Sequence, residues 1–354
     1  MRQSAGWLRL LWPLSVLYSI ISRVRAWCYA RGIFRKRKLP GTVISVGNLT
    51  AGGTGKTPMV LWIAERLAGE GKHAAILTRG YRGTSEGSAE VGAGANAGSV
   101  APGVPQSDEV ALLRDRLAGK VQLGVGADRF KNGEMLARHG VKWFVLDDGF
   151  QHLRLARDAD VVLLDASNPF GGGRTLPLGR LREPVSALRR ADLVVVTRSV
   201  QSPAPAIEGI IRRHTTSPVF YASTQLVSVL RVPRLDVALP PEDSRGARFL
   251  AFCGIGNPPA FFGDLRAWEF QIVGERSFAD HHVYSAREIS DLEKAAAGCG
   301  ADALLCTEKD VWNLRHVQFA ALPAYCCRIS LQLPETFWDT LMEIVRRKQA
   351  ERPR

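Results

Sequence analysis

Along this chain the apolar residues gather in short unbroken runs instead of alternating with polar ones. Such runs occupy 43–46, 74–78, 121–125, 142–149, 160–165 and 193–197. Helical patterns separate several of them, over 56–67, over 108–117 with Ser107 as its N-cap, and over 129–139. Strands that are apolar throughout and alternate with helices predict an α/β fold with a parallel sheet covered on both faces. A second series of the same kind begins at 248–253 and continues through 270–273 and 303–307, with Ser285-x-x-Glu288 as a capping box for a helix. The intervening 227–248, which carries Pro233, Pro240 and Pro241, reads as a linker or domain edge. The stretch 87–103, rich in Gly, Ala and Ser, reads as a loop, and Gly254-Ile255-Gly256-Asn257 as a tight turn.

The first apolar run feeds Thr50-Ala51-Gly52-Gly53-Thr54-Gly55-Lys56-Thr57, followed by Pro58. This is a phosphate cradle. Glycines let backbone N–H groups turn toward an anion, and the next helix presents its positive end. Lys56 adds a full charge for the outer phosphates, and Thr57 offers a hydroxyl to Mg²⁺. Thr50 stands where the usual pattern has glycine. The co-substrate expected here is ATP with Mg²⁺.

In an open parallel sheet ligands sit at the carboxyl ends of strands. Asp147 and Asp148 end the run at 142–149, where a P-loop protein keeps its metal-organising acid, and only one of two adjacent side chains faces a metal. Arg174, Arg180, Arg182, Arg189 and Arg190 supply forks suited to phosphate or form a solvated basic face. Glu183 among them is an arginine partner or a further metal-site acid. By residue type alone, Ser107-Asp108-Glu109 is a capped helix start with acids in its first turn. His152 follows the acid pair. In Asp280-His281-His282 a loop histidine beside an aspartate can be a base, an orienting partner or a ligand, and no third zinc ligand accompanies it.

Composition narrows the partners. The chain has 354 residues, with 47 Lys and Arg against 34 Asp and Glu, a formal charge of +13. That excess favours an anionic partner. Charge alone would admit nucleic acid, but no basic-aromatic pattern supports it, and none is expected. The six cysteines form no C-x-x-C pair and read as reduced thiols. Near the start, 10–21 is apolar but shorter than the ~20 residues a spanning helix needs. Trp7, Trp12, Tyr18 and Trp27 punctuate it, and Arg35-Lys36-Arg37-Lys38 follow. Aromatics, leucines and a basic cluster describe a segment lying in the interface of an anionic membrane.

Taken together, these motifs resemble the tetraacyldisaccharide 4'-kinases of lipid A biosynthesis, a monotopic inner-membrane P-loop kinase family. The resemblance covers almost the whole chain. It is carried by Ser-Val-Gly-Asn-Leu-Thr-Ala-Gly-Gly-Thr-Gly-Lys-Thr-Pro, Thr-Arg-Gly-Tyr, Ser-Asp-Glu, Leu-Asp-Asp-Gly-Phe-Gln-His, Leu-Ala-Arg-Asp, Pro-Leu-Gly-Arg-Leu-Arg-Glu-Pro, Phe-Ala-Asp-His and Cys-Thr-Glu-Lys-Asp. The family shares the missing first glycine.

The resemblance implies transfer of the γ-phosphoryl of ATP to the 4'-hydroxyl of tetraacyldisaccharide 1-phosphate, giving lipid IVA. It implies that Lys56 and Thr57 are the P-loop pair and that Asp108 handles the hydroxyl proton with His281 as its partner. It makes Asp147 and Asp148 the acid pair, with His152 and Glu183 at further active-site positions. Metal-site candidates are therefore Thr57, Asp147, Asp148 and Glu183. Ser107 and Val110 depart from the family's usual glycine and proline.

The organisation expected is an interfacial helical segment at 1–35, a P-loop NTPase-like kinase domain at 36–226, a linker at 227–248, and a smaller α/β domain at 249–345 closing the cleft. Expected partners are an anionic glycolipid and the cytoplasmic face of a Gram-negative inner membrane, with no protein partner implied. The competing reading is a membrane-cycling P-loop ATPase of the partitioning type, which needs no acceptor hydroxyl.

Overall fold

The computed structural model describes residues 11–80, 107–199 and 204–351. The loop expected at 87–103, Tyr81, and the tip of the N-terminal segment lie outside the described residues. In chain order the elements are α1 (Trp12–Ala30), β1 (Thr42–Asn48), α2 (Lys56–Gly69), β2 (Ala74–Thr78), α3 (Asp108–Leu117), β3 (Gln122–Val125), α4 (Arg129–Arg138), β4 (Trp143–Asp147), β5 (Ala159–Asp165), β6 (Leu193–Thr197), α5 (Ala204–Arg212) and β7 (Val219–Arg231). They continue as β8 (Ala238–Leu239), α6 (Pro241–Gly246), β9 (Arg248–Cys253), α7 (Pro258–Ala267), β10 (Gln271–Ser277), α8 (Ala286–Gly298), β11 (Ala303–Thr307), β12 (Ala324–Gln332) and α9 (Glu335–Ala350). The described residues form two compact units, one from 11–80, 117–199, 204–223 and 332–351, the other from 107–116 and 224–331.

The first unit is built on a parallel sheet in the order β3-β2-β4-β1-β5-β6-β7. All seven residues of β1 and of β5 are buried, which is why these strands read as continuous apolar runs. On α2, Met59, Val60, Ile63, Ala64 and Leu67 are fully covered. Val46 of β1 is in register with Asp147 of β4. The glycine-rich turn and the acid pair therefore leave the sheet side by side, at the edge where such sheets bind ligands.

The second unit has a parallel sheet β10-β9-β11-β12, and β8 runs antiparallel to the end of β7. The capping box of α8 forms as expected. Ser285 Oγ accepts from the Glu288 N–H, while the Glu288 carboxylate accepts from the Ser285 N–H. Two arginines converge on buried Glu308: Arg116 of α3 at 3.1 Å and Arg328 of β12 at 2.6 Å. Arg328 also reaches Asp115 at 3.0 Å. This network binds α3, and with it Asp108, to the second sheet.

The stretch 227–248 is more ordered than a linker. It holds the end of β7, all of β8, and α6. Its last prolines do not break structure but start it, since Pro240 is the N-cap of α6 and Pro241 stands in its first turn, where a missing N–H costs nothing. The C-terminal boundary also differs. Phe337 of α9 meets Trp62 and Phe220 edge-on, at 5.5 and 5.3 Å between ring centroids, so α9 belongs to the first unit. The helix bearing Asp108, expected in the kinase domain, belongs to the second. The six cysteines are free thiols.

Replacing Glu308 by alanine removes the buried carboxylate shared by two guanidinium groups, leaving Arg328 with Asp115 and Arg116 with the Ile329 carbonyl. We expect Glu308→Ala to lower stability by about 3 kcal/mol. Urea titration of the full chain measures this, and a loss below about 1 kcal/mol would mean that the network contributes only as an exposed pair does.

Candidate active site

The glycine-rich turn has the backbone its composition demands. Gly52 sits at φ 116° and Gly55, the N-cap of α2, at φ 79°, both in the left-handed region that disfavours side chains. A Cβ on Gly52 would also lie 2.1 Å from the Arg180 guanidinium. Asn48, the last residue of β1, donates from its side-chain amide to Thr54 Oγ1 at 2.8 Å and accepts from Lys56 Nζ at 3.4 Å. One wall of the turn is stitched to 180–182. The Ala51 N–H donates to the Arg180 carbonyl at 2.7 Å, Arg180 Nε donates to the Ala51 carbonyl at 3.0 Å, and the Arg182 N–H donates to the Leu49 carbonyl at 2.7 Å. Thr57 lies on the first turn of α2, partly exposed. A negatively charged group at this point meets inward-facing amides, a helix N-terminus and Lys56.

The two acids have separate surroundings. Asp147 is buried and accepts from the Thr78 hydroxyl at 2.9 Å. Asp148 lies beyond the strand end at φ 49°, an unusual backbone for a side-chain-bearing residue and a mark of functional strain. Its Oδ2 accepts from Arg182 at 2.6 Å, and Lys56 Nζ stands 3.6 Å from its Oδ1. Burial pushes the Asp148 carboxyl up, but Lys56 and Arg182 outweigh it and hold the group below the usual range. Asp148 Oδ1 is buried and has no hydrogen-bond partner. Lys56 is its ionic partner, so a metal cation bound there would share that oxygen with the ammonium.

Glu183 is occupied otherwise. Its two oxygens accept from Arg190 at 2.8 and 2.9 Å, which realises the arginine-partner alternative. Among the described residues no group of three or more His, Cys, Asp or Glu could hold a metal ion. Of the five basic candidates, Arg180 and Arg182 border the cradle, Arg190 holds Glu183, and Arg174 and Arg189 are exposed.

Asp108 and His281 meet within the second unit, although 173 residues separate them. Ser107 caps α3 as expected, with its Oγ accepting from the Val110 N–H at 3.4 Å. Asp108 is only 4% exposed. Both of its oxygens lie 2.9 Å from His281 Nδ1. It also accepts from the Glu109 N–H at 2.8 Å and from the Asn313 amide at 3.4 Å. Burial raises the Asp108 carboxyl; the His281 hydrogen bond and Lys309 outweigh this and hold it below the ordinary value. His281 is raised above its ordinary value, chiefly by that hydrogen bond, with burial and Lys309 opposing. Its backbone too is left-handed, at φ 61°.

His152 stands on the turn after the acid pair, its N–H donating to the Gly149 carbonyl at 2.8 Å. Burial and the cations Arg129, Arg157, Arg25 and Arg154 push it down to about 4, so the ring is neutral at pH 7. It lines a cavity of about 230 Å³ with Ala127, Asp128, Phe130, Arg154 and Leu155. Arg129 is buried beside Asp147 and Asp148; burial lowers it and the two acids oppose.

On α1 the usual order of burial is reversed. Only Ser15 and Ala26 are buried, while Trp12, Leu14, Leu17, Ile20, Ile21, Val24 and Trp27 are each half or more exposed. Ser15 and Thr175 exchange hydrogen bonds at 2.8 Å, and Arg25 donates to the Gln151 carbonyl. Asn48, Arg129, Lys309 and Asn313 escaped the reading of residue types. Only their neighbours signalled them, Asn48 by preceding the cradle and Lys309 by its place in Cys-Thr-Glu-Lys-Asp.

The family model described as Tetraacyldisaccharide-1-P 4'-kinase matches residues 7–346. A tetraacyldisaccharide 4'-kinase of Geobacter sulfurreducens is 42% identical over 319 residues, which is 90% of this chain and 87% of the relative. One from Halothermothrix orenii is 32% identical, over 84% of this chain and 80% of its own. The crystal structure of LpxK from Aquifex aeolicus in complex with ATP superposes with a TM-score of 0.73 at 27% identity, covering 97% of this chain and 99% of that one. The chain belongs to the tetraacyldisaccharide-1-P 4'-kinase family.

Proposed function

We infer that this protein transfers the γ-phosphoryl group of ATP to the 4'-hydroxyl of tetraacyldisaccharide 1-phosphate, producing lipid IVA. The observation that carries this reading is the buried Asp108 carboxylate, held ionised and oriented by His281. An enzyme that phosphorylates an alcohol uses such a group to take the hydroxyl proton. Family membership disfavours the membrane-cycling ATPase.

Phosphoryl transfer proceeds through a loose transition state, so the protein's work is positioning and charge neutralisation. The amides of 50–57 and Lys56 hold the polyphosphate, and Arg182 adds charge beside it. Thr57 and Asp148 would hold Mg²⁺, which neutralises charge on the phosphates; Asp148 Oδ1, buried and without a hydrogen bond, supports this assignment. The nearby Arg129 favours the ionised form of that acid. Asp108 accepts the proton of the attacking hydroxyl, and the hydrogen bond from His281 Nδ1 fixes the direction of its lone pairs.

The outward apolar surface of α1, continued by Ile33 and Phe34, supports contact with an anionic membrane such as the cytoplasmic face of an inner membrane. No helix among the described residues is long and apolar enough to cross a membrane.

With γ-labelled ATP, Mg²⁺ and detergent-dispersed tetraacyldisaccharide 1-phosphate, label should appear in the lipid. Label recovered only as free phosphate would overturn the kinase reading. In the same assay Lys56→Ala should abolish transfer, and Asp108→Ala should lower kcat by roughly 10²–10⁴; a near-normal rate would reduce Asp108 to a helix cap. Replacing Leu17 and Ile21 together by aspartate should cut co-sedimentation with anionic vesicles at least ~10-fold while sparing turnover on dispersed substrate. Unchanged sedimentation would remove the anchor.

A further inference from the structure

The turn after β11 carries a lysine to which no role has yet been given. Lys309 Nζ lies 3.4 Å from His281 Nε2, 3.4 Å from Glu109, 3.4 Å from Asp280 and 3.8 Å from Asp108. It thus touches both members of the acid–histidine pair, and it meets His281 on the nitrogen opposite Asp108, where the Asp280 carboxylate also stands 3.8 Å away and is itself engaged by Lys309. Asp108 and Glu109 come from α3, Asp280 from the same loop as His281, and Asn313 from the 3₁₀ turn Asp310–Asn313. Lys309 is the cation among these groups.

The lysine is held there by its neighbour. Asp310 is 1% exposed and accepts from the Gly254 N–H at 2.8 Å, the Tyr284 hydroxyl at 2.8 Å and the Thr307 hydroxyl at 2.5 Å. The His281 N–H donates to the Gly254 carbonyl at 3.0 Å. One buried carboxylate therefore ties the turn bearing Lys309 to the loop bearing His281.

We propose that Lys309 is a positioning residue for phosphoryl transfer, its ammonium holding His281 Nε2 as the acceptor nitrogen so that Nδ1 carries the proton donated to Asp108. An ammonium has donors and no acceptor, so it faces a lone pair. It also opposes a second proton on the ring, because an imidazolium would place two cations 3.4 Å apart. A doubly protonated His281 would pair with Asp108 as an ion and make it a poorer proton acceptor. Lys309 thereby keeps the pair in its working form as pH falls, and this rests on the reading of Asp108 as that acceptor. The direction of the His281 shift agrees, since burial and Lys309 are what restrain the rise caused by Asp108 and, less strongly, by Asp280.

The test uses the full chain with ¹⁵N-labelled histidine, the His281 signals being assigned with a His281→Gln variant. In the unsubstituted protein, at pH above the His281 midpoint, Nε2 should appear as the unprotonated nitrogen of the neutral ring. In Lys309→Met the His281 titration midpoint should rise by ~1 pH unit, and the acid limb of kcat/KM should move with it. At pH 7 kcat should fall several-fold with KM little changed. Lys309→Arg should restore the midpoint, whereas Lys309→Gln, a neutral donor, should keep the tautomer but not the midpoint. His316, whose Nε2 lies 3.0 Å from the Tyr284 carbonyl, reports whether the fold survives. An unmoved His281 midpoint in Lys309→Met with normal His316 signals would overturn the proposal. A shifted midpoint with full activity in Asp108→Ala would instead overturn the reading of Asp108 and leave the electrostatic role of Lys309 standing.

Discussion

A carboxylate that must stay ionised while nearly buried dictates much of the second unit. Without compensation burial would protonate Asp108. Compensation comes from an amide at the start of α3, from His281 in one loop, and from Asn313 and Lys309 in another. Donors arriving from three segments can converge only if those segments are rigid relative to each other. Glu308 with Arg116 and Arg328 holds α3 on the sheet, and Asp310 holds the two loops together. Both are buried carboxyl groups engaged by several partners, the arrangement in which such groups specify geometry.

The first unit answers the opposite need. Its glycine-rich turn concentrates positive potential from a helix end, turned amides and Lys56, with Arg182 close by. Asp148 balances those cations through Oδ2 and through its proximity to Lys56. Arg190 is kept by Glu183 and stacks 4.5 Å over Phe150, so it shapes the site from behind. Left-handed backbone occurs at both Asp148 and His281. Each stands at the end of a sheet strand or in a loop, and each belongs to one of the two proposed halves of the site.

The surface of α1 belongs to the same economy of design. A helix that hydrogen-bonds to its own unit through Ser15 and Arg25 leaves its large apolar residues outward. For an enzyme whose acceptor is a lipid, that surface supports delivery of a substrate that water does not dissolve.

The sequence by itself determined the strands, the helices beside them, the capping box and the phosphate cradle. These depend on residues within one or two turns of each other, through two-sided burial, capping geometry and glycine's freedom. It also narrowed Glu183 to two roles and the acid pair to one edge of a sheet. Residue types alone made Asp108 a first-turn acid of a helix capped by Ser107, and only the resemblance to a family gave it a chemical task. Tertiary structure decided the rest: that α3 and α9 exchange the units their sequence neighbours suggested, that prolines at 240 and 241 begin a helix, that Glu183 is an arginine's partner, and that Lys309 faces the far nitrogen of His281. The physical reason is distance along the chain. Contacts across 173 residues are set by how helices pack and where loops are pinned, and no local pattern encodes them.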